Sequence, residues 1–304
     1  MATLFDAYIM VDWSAAAKPV TGPNSIWVGI LAKDARLKLQ FRAVNPDTRL
    51  KARVFIEDMV GKLTRRGDRV LLGFDFSFGY PAGTADALGL DTRDTPPWKA
   101  IHDHLSAKVR ERPDNSNARF AIAAGMNYAI SKGPFPFWGA PAKDQVNTLG
   151  GKKPDFSADQ PVPEFRLVED WMRSERRAQP KSAWQLAYTG SVGSQMILGI
   201  PHVQALHERL PNAVLWPYET GLTAFTDETL GDVQVVIAEI YPSLLDVKPA
   251  PGQTLDAAQV EAIARHYADL DAKERLGTAF AGPESMVSTQ IVTVEREEGW
   301  ILGA

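Results

Sequence analysis

Three carboxylates stand where buried strands should end. Asp12 closes the apolar run Tyr8, Ile9, Met10, Val11 and is followed by Trp13 and Ser14. Asp75 lies late in GFDFSFGYP, and Glu239 follows VQVVIA and precedes Ile240, Tyr241 and Pro242. In open α/β sheets the ligand site forms at the carboxyl ends of the strands, so acids at three such ends converge if the strands are neighbours. Like charges held together need a reason to stay ionised, and the commonest is a hard divalent cation, Mg²⁺ or Mn²⁺. Each acid also has a plainer reading. Asp12 could start a turn, its side chain bonding nearby N–H groups. Strand alternation puts Phe74, Phe76 and Phe78 on one face and Asp75 with Ser77 on the other. A buried Asp75 or Glu239 would then be costly unless ion-paired with Arg or Lys. Asp269 and Asp271 flank the start of a late helix. There DAKE reads as a capping box, with Asp271 at the N-cap and Glu274 at N3, and DAAQ at 256–259 has the same form.

The elements that must position these acids follow from the apolar periodicity. Residues 7–12 read as a buried strand, 25–32 as a second and 37–44 as a third with period-two alternation, the last two joined by the turn KDAR. The stretch after Thr48 is a helix with a stripe through Leu50, Val54, Met59 and Leu63 that ends at Gly67. DRVLLGFDFSFGYP is a fourth strand. A long segment from about 82 to 190, rich in Pro, Gly and Trp, has helical patches near 98–110, 116–130 and 164–177. VGSQMILGIPHVQALHERL is a helix with a possible kink at Pro201. Strands follow at NAVLWPYE and at 232–242, then two capped helices at 257–268 and 272–281. The expected fold class is therefore α/β: three hairpin-linked antiparallel strands and then parallel strands in one mixed sheet, flanked by helices. Residues 1–304 form a single domain interrupted by the insertion at about 82–190.

This order, with VDWSA, GFDFSFGYP, EIYPSLL, DLDAKERLGTAF and the closing EEGWILG, resembles the ribonuclease H-like superfamily. Within it the chain is similar to a family of unknown function described as predicted RuvC-like nucleases. The opening VDWSAA with SIWVG also resembles a subgroup labelled as acting in molybdopterin guanine dinucleotide synthesis. The likeness covers roughly 1–81 and 190–304. It implies a metal-dependent phosphoester hydrolase in which Asp12, Asp75, Glu239 and Asp271 are catalytic and hold Mg²⁺ or Mn²⁺. Asp271 enters because the fold places its final ligand in the first turn of the last helix, where an acid is followed by Ala, here Asp271 and Ala272. Many two-metal nucleases of the fold carry a tighter acid cluster there, so one or two ions remain open. Ser14 and Lys18, on the loop after the first strand, and Ser77 would meet a phosphate.

Charge and composition narrow the substrate. The chain has 304 residues, 45% of them hydrophobic, and so can bury a large core. It has no cysteine, which excludes disulfide and thiolate chemistry. No apolar run approaches a membrane span, and no signal peptide is seen, so no membrane partner and a cytoplasmic location are expected. A formal net charge of −4 and the lack of an aromatic-interleaved basic patch argue against a large nucleic-acid surface, though not against a local groove. The expected partner is a phosphate-containing small molecule or a nucleic acid. Two other classes compete: a nucleotide-binding enzyme of the actin-like ATPase branch, whose phosphate loops VDWSAA and GFDFSFG resemble loosely, and a non-catalytic binding protein that retained the fold. TGSVGSQ at 189–195 either cradles an anion at a helix N-terminus or is a plain helix entry. The aromatics of FPFWG, Trp98 and Trp184 more often pack an insertion than line a pocket.

Overall fold

The computed structural model describes residues 3–34, 36–175, 178–188 and 190–304. Part of KDAR, the end of the expected helix at 164–177 and Thr189 of TGSVGSQ lie outside the described residues. In chain order the elements are β1 (Ala7–Asp12), β2 (Trp27–Lys33), β3 (Leu39–Val44), α1 (Arg49–Arg65), β4 (Val70–Phe74), α2 (Thr84–Ala87), α3 (Pro97–Lys108), α4 (Arg119–Ser131) and α5 (Leu167–Ser174). Then come α6 (Gly193–Arg209), β5 (Ala213–Leu215), α7 (Asp227–Leu230), β6 (Val235–Glu239), α8 (Leu255–Ala272) and α9 (Ser288–Thr293).

Six strands among the described residues form one mixed sheet in the order β3-β2-β1-β4-β6-β5. β1, β2 and β3 pair antiparallel, as the hairpin spacing predicted, and β1, β4, β6 and β5 run parallel. The expected mixed α/β architecture is therefore observed. The register aligns Val11 with Phe74 and Phe74 with Glu239, so β1, β4 and β6 finish at one edge.

Alternation along these strands divides the core in two. Ile9, Val11, Val28, Ile30, Leu72, Phe74 and Ile237 face α1 and α6 on one side, where Ala52, Ile56, Ile197 and Val203 pack. Tyr8, Met10, Leu31, Leu71 and Val236 face α8 on the other, where Val260, Ile263, Ala264 and Tyr267 pack. Strands covered on both faces must be largely apolar, and β4 is so throughout, β1 and β6 up to their last residues, Asp12 and Glu239. Gly29 sets the closeness of α8: a Cβ there would stand 3.0 Å from Val260 Cβ and Cγ2.

Two differences from the sequence expectation concern this helix and its neighbour. α8 is one helix of 18 residues, not two capped ones, because its buried stripe runs unbroken through Val260, Ile263, Ala264, Tyr267, Ala268 and Asp271. Its N-cap is Thr254, whose hydroxyl accepts the Ala257 N–H at 3.2 Å. α6 continues through Pro201, which it holds in its interior. No helix among the described residues is long and apolar enough to cross a membrane.

Candidate active site

Asp12 is the last residue of β1, and its half-buried carboxyl has no strand partner beyond it. Asp75 directly follows β4. Its N–H donates to Val11 O at 3.1 Å, which carries the chain back over the end of β1. Its Oδ1 accepts the Trp13 N–H at 2.7 Å, so the two strand ends hold each other. Asp12 is in hydrogen-bonding contact with Asp75 and also with Asp256, in the first turn of α8. Asp256 is itself placed by its Oδ2, which accepts the Asn24 N–H at 2.8 Å.

Burial, and then the neighbouring charges of Asp75 and Asp256, push the Asp12 carboxyl well above the usual carboxylate range. Burial also pushes Asp75 up, to about 7, although the N–H bonds it accepts oppose this. The acids line one cleft of about 600 Å³ with Ser14, Ser77, Glu239 and residues of the insertion.

Glu239 ends β6 in the same cleft, but its carboxylate is occupied. Arg166 grips it bidentately, Nη2 to Oε1 at 2.7 Å and Nη1 to Oε2 at 2.8 Å, and the Phe78 N–H donates to Oε2 at 3.3 Å. Fully buried Arg166 also donates to Glu169 Oε1, to Ser77 Oγ at 2.9 Å and to Glu298 O at 2.9 Å. Burial alone would lower its pKa, but the carboxylates of Glu169 and Glu239 hold it well above the usual arginine range. The ion-pair reading of Glu239 is thus realised, and Ser77 serves this cluster as an acceptor. Its partner was not legible, because Arg166 is 73 residues away in the irregular insertion.

Asp271 is not at this site. It closes α8 at the other end, fifteen residues after Asp256, which is about 22 Å along a helix axis. There its Oδ1 accepts the Leu4 N–H at 2.8 Å, and its Oδ2 accepts the Phe5 N–H at 2.9 Å and the Tyr8 hydroxyl at 2.6 Å. Asp271 therefore pins the entry to β1, and neither the ligand nor the N-cap reading holds. Lys18 is exposed and outside the cleft lining, so its expected contact with a bound phosphate is not supported by its position. Ser14 lines the cleft; its hydroxyl donates to Asn24 O at 3.4 Å and accepts the Ala16 N–H at 3.3 Å.

The residue the sequence reading missed is Asp256. Its signal was present: DAAQ has the same acid-then-Ala form as DAKE, and it follows Thr254, the stronger N-cap candidate.

Among the described residues, no three Asp, Glu, His or Cys side chains form a ready-made metal cage. The carboxyls instead touch in pairs through Asp12. That arrangement fits Mg²⁺ or Mn²⁺, because such an ion takes one or two carboxylates and completes its shell with waters and substrate phosphate. All the donors are hard oxygens, as the ion requires.

The loop after β1 is fastened from beneath. Buried Arg49 donates through Nη1 to Ser14 O at 2.7 Å and to Ala16 O at 2.9 Å, and Arg49 is paired with Glu111. Gln195, in the first turn of α6, donates to Trp13 O and ties that helix to the same loop. Compared with known proteins, the chain matches no family model, no curated protein and no solved structure.

Proposed function

We propose that this chain has a ribonuclease H-like architecture and is a metal-dependent phosphoester hydrolase acting in the cleft at the ends of β1 and β4. The observation that carries the reading is the contact of Asp12 with both Asp75 and Asp256, like charges brought together at the carboxyl edge of a parallel sheet. Evolved folds avoid such repulsion unless a cation or a shared proton serves a purpose. The three antiparallel strands followed by β4 and β6 beside β1 support the architecture. The acid expected in the first turn of the last long helix is then Asp256, followed by Ala257.

Asp12 together with Asp75 or Asp256 would hold Mg²⁺ or Mn²⁺, which when bound supplies a more acidic water and neutralises charge on a phosphoryl group. The chain's own part is positioning and proton handling. Trp13 N–H fixes Asp75 through Oδ1 beside Asp12. Burial pushes Asp75 up to about 7 without a cation, so binding of the ion would displace a proton from it and grow stronger as pH rises. The cleft is walled by insertion residues Lys181, Tyr188 and Ser191, which favours a confined small phosphodiester or nucleotide over a long duplex.

The test is a hydrolysis screen of phosphodiester, phosphomonoester and pyrophosphate probes with Mg²⁺ or Mn²⁺. Turnover of one class that disappears in Asp12→Asn and Asp256→Asn and persists in Asp271→Asn is expected. Turnover that survives Asp12→Asn, or no turnover across the screen with either metal, sinks the hydrolase reading. Tight binding of long duplex DNA with a steep salt dependence, cleaved with Mg²⁺ and not by Asp75→Asn, would restore a nuclease acting on nucleic acid.

A further inference from the structure

The cleft is lined by charges of both signs. Asp12, Asp75 and Asp256 come from the ends of β1 and β4 and the start of α8, and Arg119 and Lys181 from the wall that the insertion contributes. Among the described residues neither cation has a carboxylate partner within ion-pair distance, whereas Arg49 and Arg166 do. Arg119 is held by neutral groups instead: Nε donates to Ser194 Oγ at 3.0 Å and Nη1 to Asn117 Oδ1 at 3.2 Å. Its guanidinium carbon lies 4.6 Å from the centre of the Phe120 ring. Burial, and then the neighbouring charge of Arg49, lowers its pKa, and the carboxylates of Asp144 and Glu111 oppose this in part. A half-buried guanidinium oriented by hydroxyl and amide oxygens, with no carboxylate bonded to it, keeps donors and charge for an incoming anion.

Tyr188 stands on the same wall, 64% exposed, at φ 77°. A bulky residue seldom adopts that backbone region, and such strain gathers where a side chain is displayed for use. The Ser191 N–H donates to Tyr188 O at 3.1 Å and closes the turn that presents the ring. Lys181 lies beside this turn: a Cβ on Gly190 would be 3.4 Å from the lysine Cγ.

We propose that this wall is a second, metal-independent anion subsite, at which Arg119 and Lys181 bind a phosphate of the substrate other than the one at the acids, while Tyr188 stacks on its flat ring. The proposal rests on the cleft binding a phosphoester and adds which class: one with at least two anionic groups and an aromatic base. The two groups of residues belong to different elements, the acids to the ends of β1 and β4 and the start of α8, Arg119 and Lys181 to the insertion.

Binding is measured by calorimetry in EDTA with three probes: adenosine 5′-monophosphate, ribose 5-phosphate and adenosine. The monophosphate should bind more tightly than either fragment. Arg119→Gln should weaken it roughly tenfold, the effect of losing charge-assisted hydrogen bonds, and Arg119→Lys should recover part of the loss. Tyr188→Ala should weaken the monophosphate about threefold or more and leave ribose 5-phosphate unchanged, as stacking requires. Should Arg119→Gln fail to fold, exposed Lys181→Gln carries the test, with a loss of about threefold expected for one surface charge. Asp271→Asn, outside the cleft lining, should leave all these affinities intact. Affinity unchanged in Arg119→Gln or, in its place, Lys181→Gln overturns the proposal, as does absence of binding at millimolar probe. Loss of metal-free binding in Asp12→Asn also overturns it, since the phosphate would then sit at the acids. The hydrolase reading stands or falls separately, on metal-dependent turnover.

Discussion

Each end of β1 meets an aspartate of α8, and the two are treated in opposite ways. At the entry, Asp271 receives the N–H groups of Leu4 and Phe5 and the hydroxyl of Tyr8. At the exit, Asp256 meets the carboxyl of Asp12, which meets that of Asp75. A carboxylate surrounded by donors is stable as an anion and stabilises what surrounds it. Carboxyls facing one another disfavour their own ionisation and weaken the fold that holds them. The same residue type on the same helix is therefore a fastener at one end and a charge cluster at the other. The exit end has fewer donors for its charge, one N–H from Trp13 to Asp75 and one from Asn24 to Asp256, and sets carboxyl against carboxyl.

The Arg166 cluster extends the contrast inside the cleft, because Glu239 shares the sheet edge with Asp12 yet is neutralised by its own chain. Arg166→Ala leaves Glu239 and Glu169 buried without their counter-charge and should cost about 3–5 kcal/mol, the largest effect expected of any substitution here. Urea unfolding monitored by tryptophan fluorescence measures it. A loss under 1 kcal/mol would mean that water replaces the guanidinium and that the cluster does not anchor the insertion. At the entry to β1, Asp271→Ala strands two N–H groups and a buried hydroxyl and should cost about 2–4 kcal/mol with no change in metal response. If Asp271→Ala instead abolished a metal-dependent rise in melting temperature, the two ends of α8 would have been assigned wrongly.

How much of this was legible follows from what each residue's partners are. The strands could be read because burial on both faces leaves long apolar runs, and Asp12, Asp75 and Glu239 could be placed because each interrupts one. The role of Glu239 could not, since it depends on Arg166 in a segment without periodicity. The choice between Asp256 and Asp271 depended on whether α8 is one helix or two. A capping box at 271–274 is a local pattern, while the stripe from Val260 to Asp271 is a tertiary one, and the tertiary burial prevailed. Asp271 continues that stripe in register, which was the available sign that it is buried as a packing residue.

Asp12→Asn tests the exit end with a smaller and opposite effect. In EDTA it should stabilise the protein by about 1 kcal/mol, through loss of like-charge contact. With millimolar Mg²⁺ or Mn²⁺ the wild type should gain melting temperature and the variant should gain little. Destabilisation in EDTA, or an equal metal response in both, would mean that Asp12 is a fastener like Asp271.

The smallest effect is in the pH dependence of the exit end, where Asp75 sets the sign. Burial raises Asp75 to about 7 in the folded chain from the ordinary carboxylate value near 4, so the folded state binds the proton more tightly than the unfolded state does. Between those values unfolding releases a proton, and stability must fall as pH rises from about 4 to about 7. Glu298, raised by burial to about 7, acts in the same direction, and His102, lowered by burial to about 4, acts in the opposite one. The quantity to measure is therefore the difference between variant and wild type. Asp75→Asn keeps the acceptor for the Trp13 N–H and cannot ionise. In EDTA its stability relative to wild type should grow steadily across that window. A gap that stays flat from pH 4 to 7 would show that Asp75 ionises with an ordinary pKa, its charge met by the Trp13 N–H and its neighbours without a cation.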